Sequence, residues 1–195
     1  MTQDTPLILA FGDSLIAGYG LGPRDSFPAQ LEAALRPRHP AARVINAGVS
    51  GNTTADALRR LPRLLSGLAA RPDLAIVQIG ANDVLRSLPP AQTRANLDAM
   101  LTEFARCGIP VLLATLEPPA ILHARTGPYL GVHGEVAARH GAATSGFFPA
   151  GVLGRADMVL FDRVHPNARA IAAVVAHLLP AVEQALTKAV IAAAA

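Results

Sequence analysis

The chain has 195 residues, 51% hydrophobic, 4% aromatic and 16% charged, with a formal net charge of +3 and one cysteine. That length suits a single domain with a sizeable core, the low charged fraction excludes intrinsic disorder, and one Cys excludes an internal disulfide or a Cys-rich zinc site. The pI near 9.7 reflects how few groups titrate between neutrality and pH 9. The arginines are scattered over several segments and aromatics are too few for base stacking, so no nucleic-acid partner is expected.

The most apolar stretch, from Ala168 onward, is interrupted by Arg169, His177, Pro180, Glu183 and Lys188. It falls short of the roughly 20 uncharged residues that span a bilayer, so stable membrane insertion is not expected. The apolar run at 7–11 follows no basic segment, as a secretory signal would. The expectation is a cytoplasmic protein if Met1 is the native start, and a periplasmic or secreted one if a signal peptide has been trimmed. The sequence pattern specifies no oligomeric state.

In chain order, apolar runs at 7–11, 43–47, 74–79, 111–115 and, more weakly, 142–148 read as strands. Most are continuously apolar, the pattern of strands buried on both faces. Between them the period turns helical. Leu58, Leu61, Leu65 and Leu68 share one helical face, with Pro62 expected to kink or restart that helix. Leu97, Met100, Leu101 and Phe104 follow the i, i+3, i+4, i+7 rule up to a stop at Gly108, and Cys107 reads as a small apolar residue near that helix end. Ile171, Val174, Val175 and Leu178 repeat the rule. Alternating strands and helices imply right-handed crossovers and a parallel sheet covered on both faces. This is one α/β domain over residues 1–195, with 189–195 expected as a frayed helix end.

In such sheets ligands bind beyond the carboxyl ends of the strands. Three polar, Gly-rich segments follow predicted strands: Gly12-Asp13-Ser14-Leu15, Asn46-Ala47-Gly48-Val49-Ser50-Gly51-Asn52 and Gly80-Ala81-Asn82-Asp83. Read alone, Ser14 is more readily a capping or turn serine than a nucleophile, and a nucleophile needs a base. His165, in Asp162-Arg163-Val164-His165-Pro166-Asn167, sits just before the C-terminal helix. Asp162 is close enough on a tight loop to accept from one ring nitrogen and stabilise imidazolium, while the helix N-terminus opposes that charge. Asn82 can offer a side-chain N–H, and Gly48 and Ser14 backbone N–H groups, to the oxyanion of a tetrahedral intermediate. Each residue alone is ordinary for a turn after a strand.

Together, in order and across nearly the whole chain, these blocks resemble the SGNH (GDSL) hydrolases. The resemblance is to their arylesterase and thioesterase/lysophospholipase branch, supported by the stretches 52–62, 93–100 and 147–149. It implies a three-layer α/β/α sandwich on a five-stranded parallel sheet of flavodoxin-like order. It implies Ser14 as nucleophile, His165 as base then acid, Asp162 as its orienter, an oxyanion hole of Ser14, Gly48 and Asn82, no cofactor and no metal. The activity implied is hydrolysis of small carboxylic esters through an acyl-enzyme: short to medium acyl or aryl esters, thioesters or lysophospholipids. The alternatives are an acyltransferase using an alcohol acceptor and a non-catalytic binding module, the latter disfavoured by the intact site residues. Three departures stand out: Ala81 replaces a Gly, Arg163 stands where a Gly often follows the Asp, and 118–135 lacks the branch's aromatic spacing.

Other signatures are missing. The elbow Gly-x-Ser-x-Gly, a dinucleotide fingerprint and a Walker loop do not occur. His123, His133 and His140 lack metal-ligand spacing and are expected at exposed positions. The loops at 84–90 and 118–135 are expected to line the pocket, with Val84, Leu85, Leu88, Ile121 and Leu122 making it apolar.

Overall fold

The computed structural model describes residues 5–116 and 126–194. Strands β1 (Leu7–Gly12), β2 (Arg43–Gly48), β3 (Leu74–Gln78), β4 (Val111–Thr115) and β5 (Ala143–Gly146) form one five-stranded sheet in the order β2-β1-β3-β4-β5. Every neighbouring pair is parallel. β1, β3 and β4 are almost wholly buried, whereas β2 and β5 are the sheet's edges and part-exposed. That explains the weak apolar signal at 142–148: an edge strand has one strand neighbour and less surface to bury.

Alternation along the strands feeds two cores. Ile8, Ala10, Leu74, Ile76, Leu112 and Ala114 pack on one face with α2 (Phe27–Leu35) and the C-terminal helix. Leu9, Phe11, Ala75, Val77 and Leu113 pack on the other, against α3 (Thr54–Ser66), α5 (Pro90–Arg106) and α6 (Val132–His140). Two short helices, α1 (Ser14–Ala17) and α4 (Ala81–Leu85), follow β1 and β3 directly. This is the expected α/β/α sandwich.

Three details differ from expectation. α3 does not restart at Pro62 but runs through it as a single helix, ending at Ser66; the proline is exposed, where the carbonyl it leaves without a partner can be solvated. The last helix, α7 (Ala168–Ala194), continues past Ala189 where fraying was expected, consistent with alanine's strong helix propensity. Residues 168–189 of α7 are long and apolar enough to cross a membrane by length and composition, but here Ile171, Val174, Leu178 and Val182 are buried in the core.

The order β2-β1-β3 means the chain leaves β1 for one side and later returns on the other. The crevice beyond the carboxyl ends of β1 and β3 is the topological switch point, where ligands of such folds bind. Ser14 follows β1 and Asn82 follows β3, so the two sit on either side of it.

Candidate active site

Ser14 is the first residue of α1. Its position depends on Gly12, where a Cβ would lie 2.0 Å from the Gln78 carbonyl oxygen, and on Asp13, whose Oδ1 caps the helix by accepting the Leu15 N–H at 3.0 Å. The strand therefore ends tightly against β3 and turns at once into a helix. Asp13 is fully buried, and burial pushes its carboxyl up to about 6, against the Leu15 bond and the neighbouring His165, which lower it.

His165 reaches Ser14 from the far end of the chain: its Nε2 lies 3.0 Å from Ser14 Oγ. The loop carrying it is closed by an antiparallel bridge between Val159 and Pro166 and by Asn167, whose Oδ1 accepts the Ala170 N–H at 3.0 Å and so caps α7. Asp162 accepts from both backbone and ring: Oδ1 from the N–H groups of Val164 (2.9 Å) and His165 (3.0 Å), Oδ2 from His165 Nδ1 at 2.6 Å. The two backbone bonds, then the ring, hold the Asp162 carboxyl down at about 2. The tautomer follows from these contacts: Nδ1–H donates to the carboxylate, leaving Nε2 as acceptor for the serine hydroxyl. Tyr19 covers the imidazole, ring centroids 4.4 Å apart.

Asn82 lies in the first turn of α4, after Gly80, whose φ of +116° is a left-handed conformation that favours glycine. Its Nδ2 donates one hydrogen to the Asn52 carbonyl at 2.9 Å, which orients the second. Ser14 N–H has no hydrogen-bond partner among the described residues. Gly48 does not fit the donor role expected of it. Its N–H is given to Asn46 Oδ1 at 3.0 Å, and it is glycine for another reason: a Cβ would lie 2.1 Å from Ala17 N, so β2 and α1 meet backbone to backbone. Three residues on, Gly51 has a φ of +81° and an N–H without a partner among the described residues.

Beneath Asn82, the buried Asp83 accepts from Thr54 N–H at 2.8 Å, from the Thr54 hydroxyl and from the Thr93 hydroxyl at 3.2 Å. Asn96 Nδ2 donates to Thr54 Oγ1 at 3.0 Å. This network ties α3, α4 and α5 together under the site. Sequence reading gave Asp83 no role, although it closes the Gly80-Ala81-Asn82-Asp83 motif.

A cavity of about 330 Å³ opens beside Ser14, Asn82 and His165. Val84 and Leu85 line it as expected, joined by Leu116, Leu130, Phe148 and Val164. Leu88 does not line it; its carbonyl accepts the Tyr129 hydroxyl instead. Ile121 and Leu122 lie outside the described residues. His133, expected at an exposed position, lines the cavity with its Nε2 2.9 Å from the Ile79 carbonyl oxygen, and desolvation lowers its pKa. His140 is half-buried, 3.0 Å from Asp98; His123 lies outside the described residues. No group of three or more His, Cys, Asp or Glu side chains that could hold a metal ion occurs among the described residues. A larger groove, about 520 Å³, lies at the amino ends of β3, β4 and β5 around Asp73, Pro110 and Ala142, away from these residues.

A serine, a histidine and an aspartate hydrogen-bonded in series, at the switch point of a parallel sheet, form the constellation of a serine hydrolase. The chain belongs to the GDSL-like Lipase/Acylhydrolase family, which it matches over residues 10–173. It is 36% identical over 160 residues to "Esterase TesA" of Pseudomonas aeruginosa (82% of this chain, 79% of that one) and 32% identical over 170 residues to "Arylesterase" of Vibrio mimicus (87% and 84%). Among solved structures it is similar to AlinE4, an SGNH-hydrolase family esterase, with 44% identity, a TM-score of 0.75 and coverage of 93% of this chain and 97% of that one. The chain is a serine ester hydrolase of this family.

Proposed function

We propose that Ser14 is the nucleophile of an acyl-enzyme esterase, with His165 as its base and Asp162 orienting the imidazole. The observation that carries this is the unbroken series from Ser14 Oγ to His165 Nε2 at 3.0 Å and from His165 Nδ1 to Asp162 at 2.6 Å. Oγ attacks the ester carbonyl as Nε2 takes its proton; the imidazolium then protonates the leaving alcohol, and water regenerates Ser14 by the reverse path. The oxyanion is held by the Ser14 N–H and the free hydrogen of Asn82 Nδ2. Because Gly48 N–H is engaged by Asn46, the backbone donor from the β2–α3 loop is assigned to Gly51, whose neighbour Asn52 already holds the Asn82 amide.

The substrate class follows from the cavity. Its walls near Ser14 are aliphatic and aromatic, and about 330 Å³ is at the small end of ligand pockets. That suits a short to medium acyl chain or an aryl group. The testing experiment is a series of p-nitrophenyl esters of increasing chain length, with phenyl acetate, an acyl thioester and a lysophospholipid as further arms. Activity is expected to peak at short to medium chains and to vanish in Ser14→Ala. A Ser14→Ala variant that keeps most of its activity, or a wild type inert to a fluorophosphonate probe, overturns the mechanism. A preference for long chains overturns the substrate assignment alone.

A further inference from the structure

Arg59, Arg60 and Arg63 share α3, but their environments diverge. Arg59 is exposed and pairs with Asp56 at 2.6 Å, and Arg63 is exposed. Arg60 is half-buried, makes no salt bridge among the described residues, and lies with its guanidinium carbon 4.2 Å from the centroid of the buried Phe11 ring. Burial lowers its pKa. A cation taken from water without a counter-ion costs free energy, partly offset by the ring face and by charge-assisted bonds to neutral oxygens.

Those bonds are specific. Arg60 Nη2 donates to the Gly12 carbonyl at 2.8 Å, two residues before the nucleophile. That carbonyl also accepts the Val49 N–H at 3.0 Å. Arg60 Nε donates to Asn52 Oδ1 at 2.7 Å, and the backbone carbonyl of the same Asn52 accepts from Asn82 Nδ2 at 2.9 Å. One planar fork therefore spans the end of β1 and the loop after β2, and it grips Asn52, the residue whose backbone carbonyl accepts from the Asn82 amide. A lysine ammonium, a single point on a flexible stem, has no such fork geometry.

We propose that Arg60 is a positioning residue of the oxyanion site: anchored on the Gly12 carbonyl at the end of β1, it holds Asn52 in place so that the Asn82 amide is aimed at the oxyanion. The proposal rests on the reading of Asn82 as an oxyanion donor. Such a residue acts on the transition state and not on ground-state binding, so its loss lowers kcat with little change in KM.

The test is a double-mutant cycle on the full chain with a p-nitrophenyl ester, reading kcat, KM and thermal melting for Arg60→Lys, Arg60→Met, Asn82→Ala and the two Arg60 variants combined with Asn82→Ala. Arg60→Lys is expected to lose about 10-fold in kcat and Arg60→Met about 10²-fold, each with KM within about twofold of wild type. In the Asn82→Ala background the same changes are expected to cost no more than about threefold, since the amide they position is gone. Added methylguanidinium is expected to restore part of kcat to an Arg60→Ala variant. Arg60→Lys with wild-type kcat, or losses of equal size with and without Asn82, overturns the proposal and leaves Arg60 as packing. If Arg60→Met does not fold, the Arg60→Lys arm decides alone. Wild-type kcat in Asn82→Ala instead overturns the oxyanion reading itself.

Discussion

Asp162 holds His165 at two points: Oδ2 takes the ring Nδ1–H at 2.6 Å while Oδ1 takes the residue's own backbone N–H at 3.0 Å. The carboxylate thus fixes both where the loop lies and which way the imidazole faces. Asp162→Asn keeps the shape but offers the ring an amide, which can present a donor to Nδ1 and force the wrong tautomer. Steady-state kinetics should show kcat down by about 10²–10⁴-fold with KM within about threefold. A loss confined to KM would show that Asp162 does not act on the chemical step.

The same contacts set an acid dependence. Asp162 titrates at about 2 in the folded chain, below its ordinary value of 3.8. A depressed folded pKa contributes stability that is present above the unfolded pKa and lost as pH falls through the folded one. Melting temperatures of wild type and Asp162→Asn should therefore differ near neutrality and converge between about pH 4 and pH 2. A gap that stays constant across that window would contradict the linkage.

Much of this site was legible from sequence because its chemistry sits directly after strands. Buried strands are continuous apolar runs that mark where the rim lies, and Ser14 and Asn82, each ordinary alone in a turn after a strand, become informative in combination with the other blocks. His165 was legible through its local pairing with Asp162. What sequence hid are roles set by residues distant in the chain. Gly48 reads as a donor until its N–H is found on Asn46 Oδ1, and its being glycine is explained only by Ala17, whose backbone fills the place of a Cβ. Arg60 is one of three arginines on α3, and nothing local in the sequence shows that Gly12 and Asn52 accept its bonds. His133 and Phe148 reach the pocket from α6 and from the segment after β5, which no local period announces.

Asp13 makes the opposite acid–base prediction. Its carboxyl is raised to about 6 by burial, so the folded state binds a proton that the unfolded chain has released. Stability from this group is fully present below the unfolded pKa near 4 and is lost as pH rises through about 6. Asp13→Asn keeps an acceptor for the Leu15 N–H and removes the charge. It should melt higher than wild type at pH 8, by up to about 3 kcal/mol of stability, with the gain shrinking towards pH 4. Asp13 also lies near enough to His165 for their charges to interact, so in the proposed mechanism the imidazolium loses support and kcat should fall several-fold. Equal melting of the two proteins at pH 8 would refute the burial penalty.

Gly48 and Gly51 separate packing from backbone conformation. In Gly48→Ala the new Cβ would lie 2.1 Å from Ala17 N and 2.6 Å from Ala17 Cα, both backbone atoms that cannot step aside. Loss of more than about 3 kcal/mol is expected, seen as low soluble yield or a collapsed melt. In Gly51→Ala the nearest atom is Arg86 Nη2 at 3.9 Å, so there is no clash, and only the left-handed φ of +81° is strained. That costs roughly 1–2 kcal/mol and leaves the N–H in place. Gly51→Ala should fold and keep kcat within about threefold, whereas a Gly48→Ala protein as stable as wild type would mean that β2 and α1 are not locked together.

Arg163 carries the loop's one strained turn. Between Asp162 and His165 it adopts a φ of +58°, a region where a side chain is disfavoured and glycine is at ease. Its side chain is exposed and makes no hydrogen bond or ion pair among the described residues, while its backbone N–H is held by the Leu160 carbonyl at 2.9 Å. The turn is therefore imposed by its neighbours: the Leu160 bond on one side and the two Asp162 bonds to Val164 and His165 on the other. Arg163→Gly should relieve the strain, less the extra entropy glycine gains on unfolding, for a net gain of about 1 kcal/mol and a melting temperature higher by about 2–4 °C. Because the Asp162 contacts that orient His165 do not involve the Arg163 side chain, kcat should stay within about twofold of wild type. A lower melting temperature would show that the arginine side chain contributes a stabilising contact. An unchanged melting temperature with a large fall in kcat would show that loop rigidity at this position sets the aim of His165.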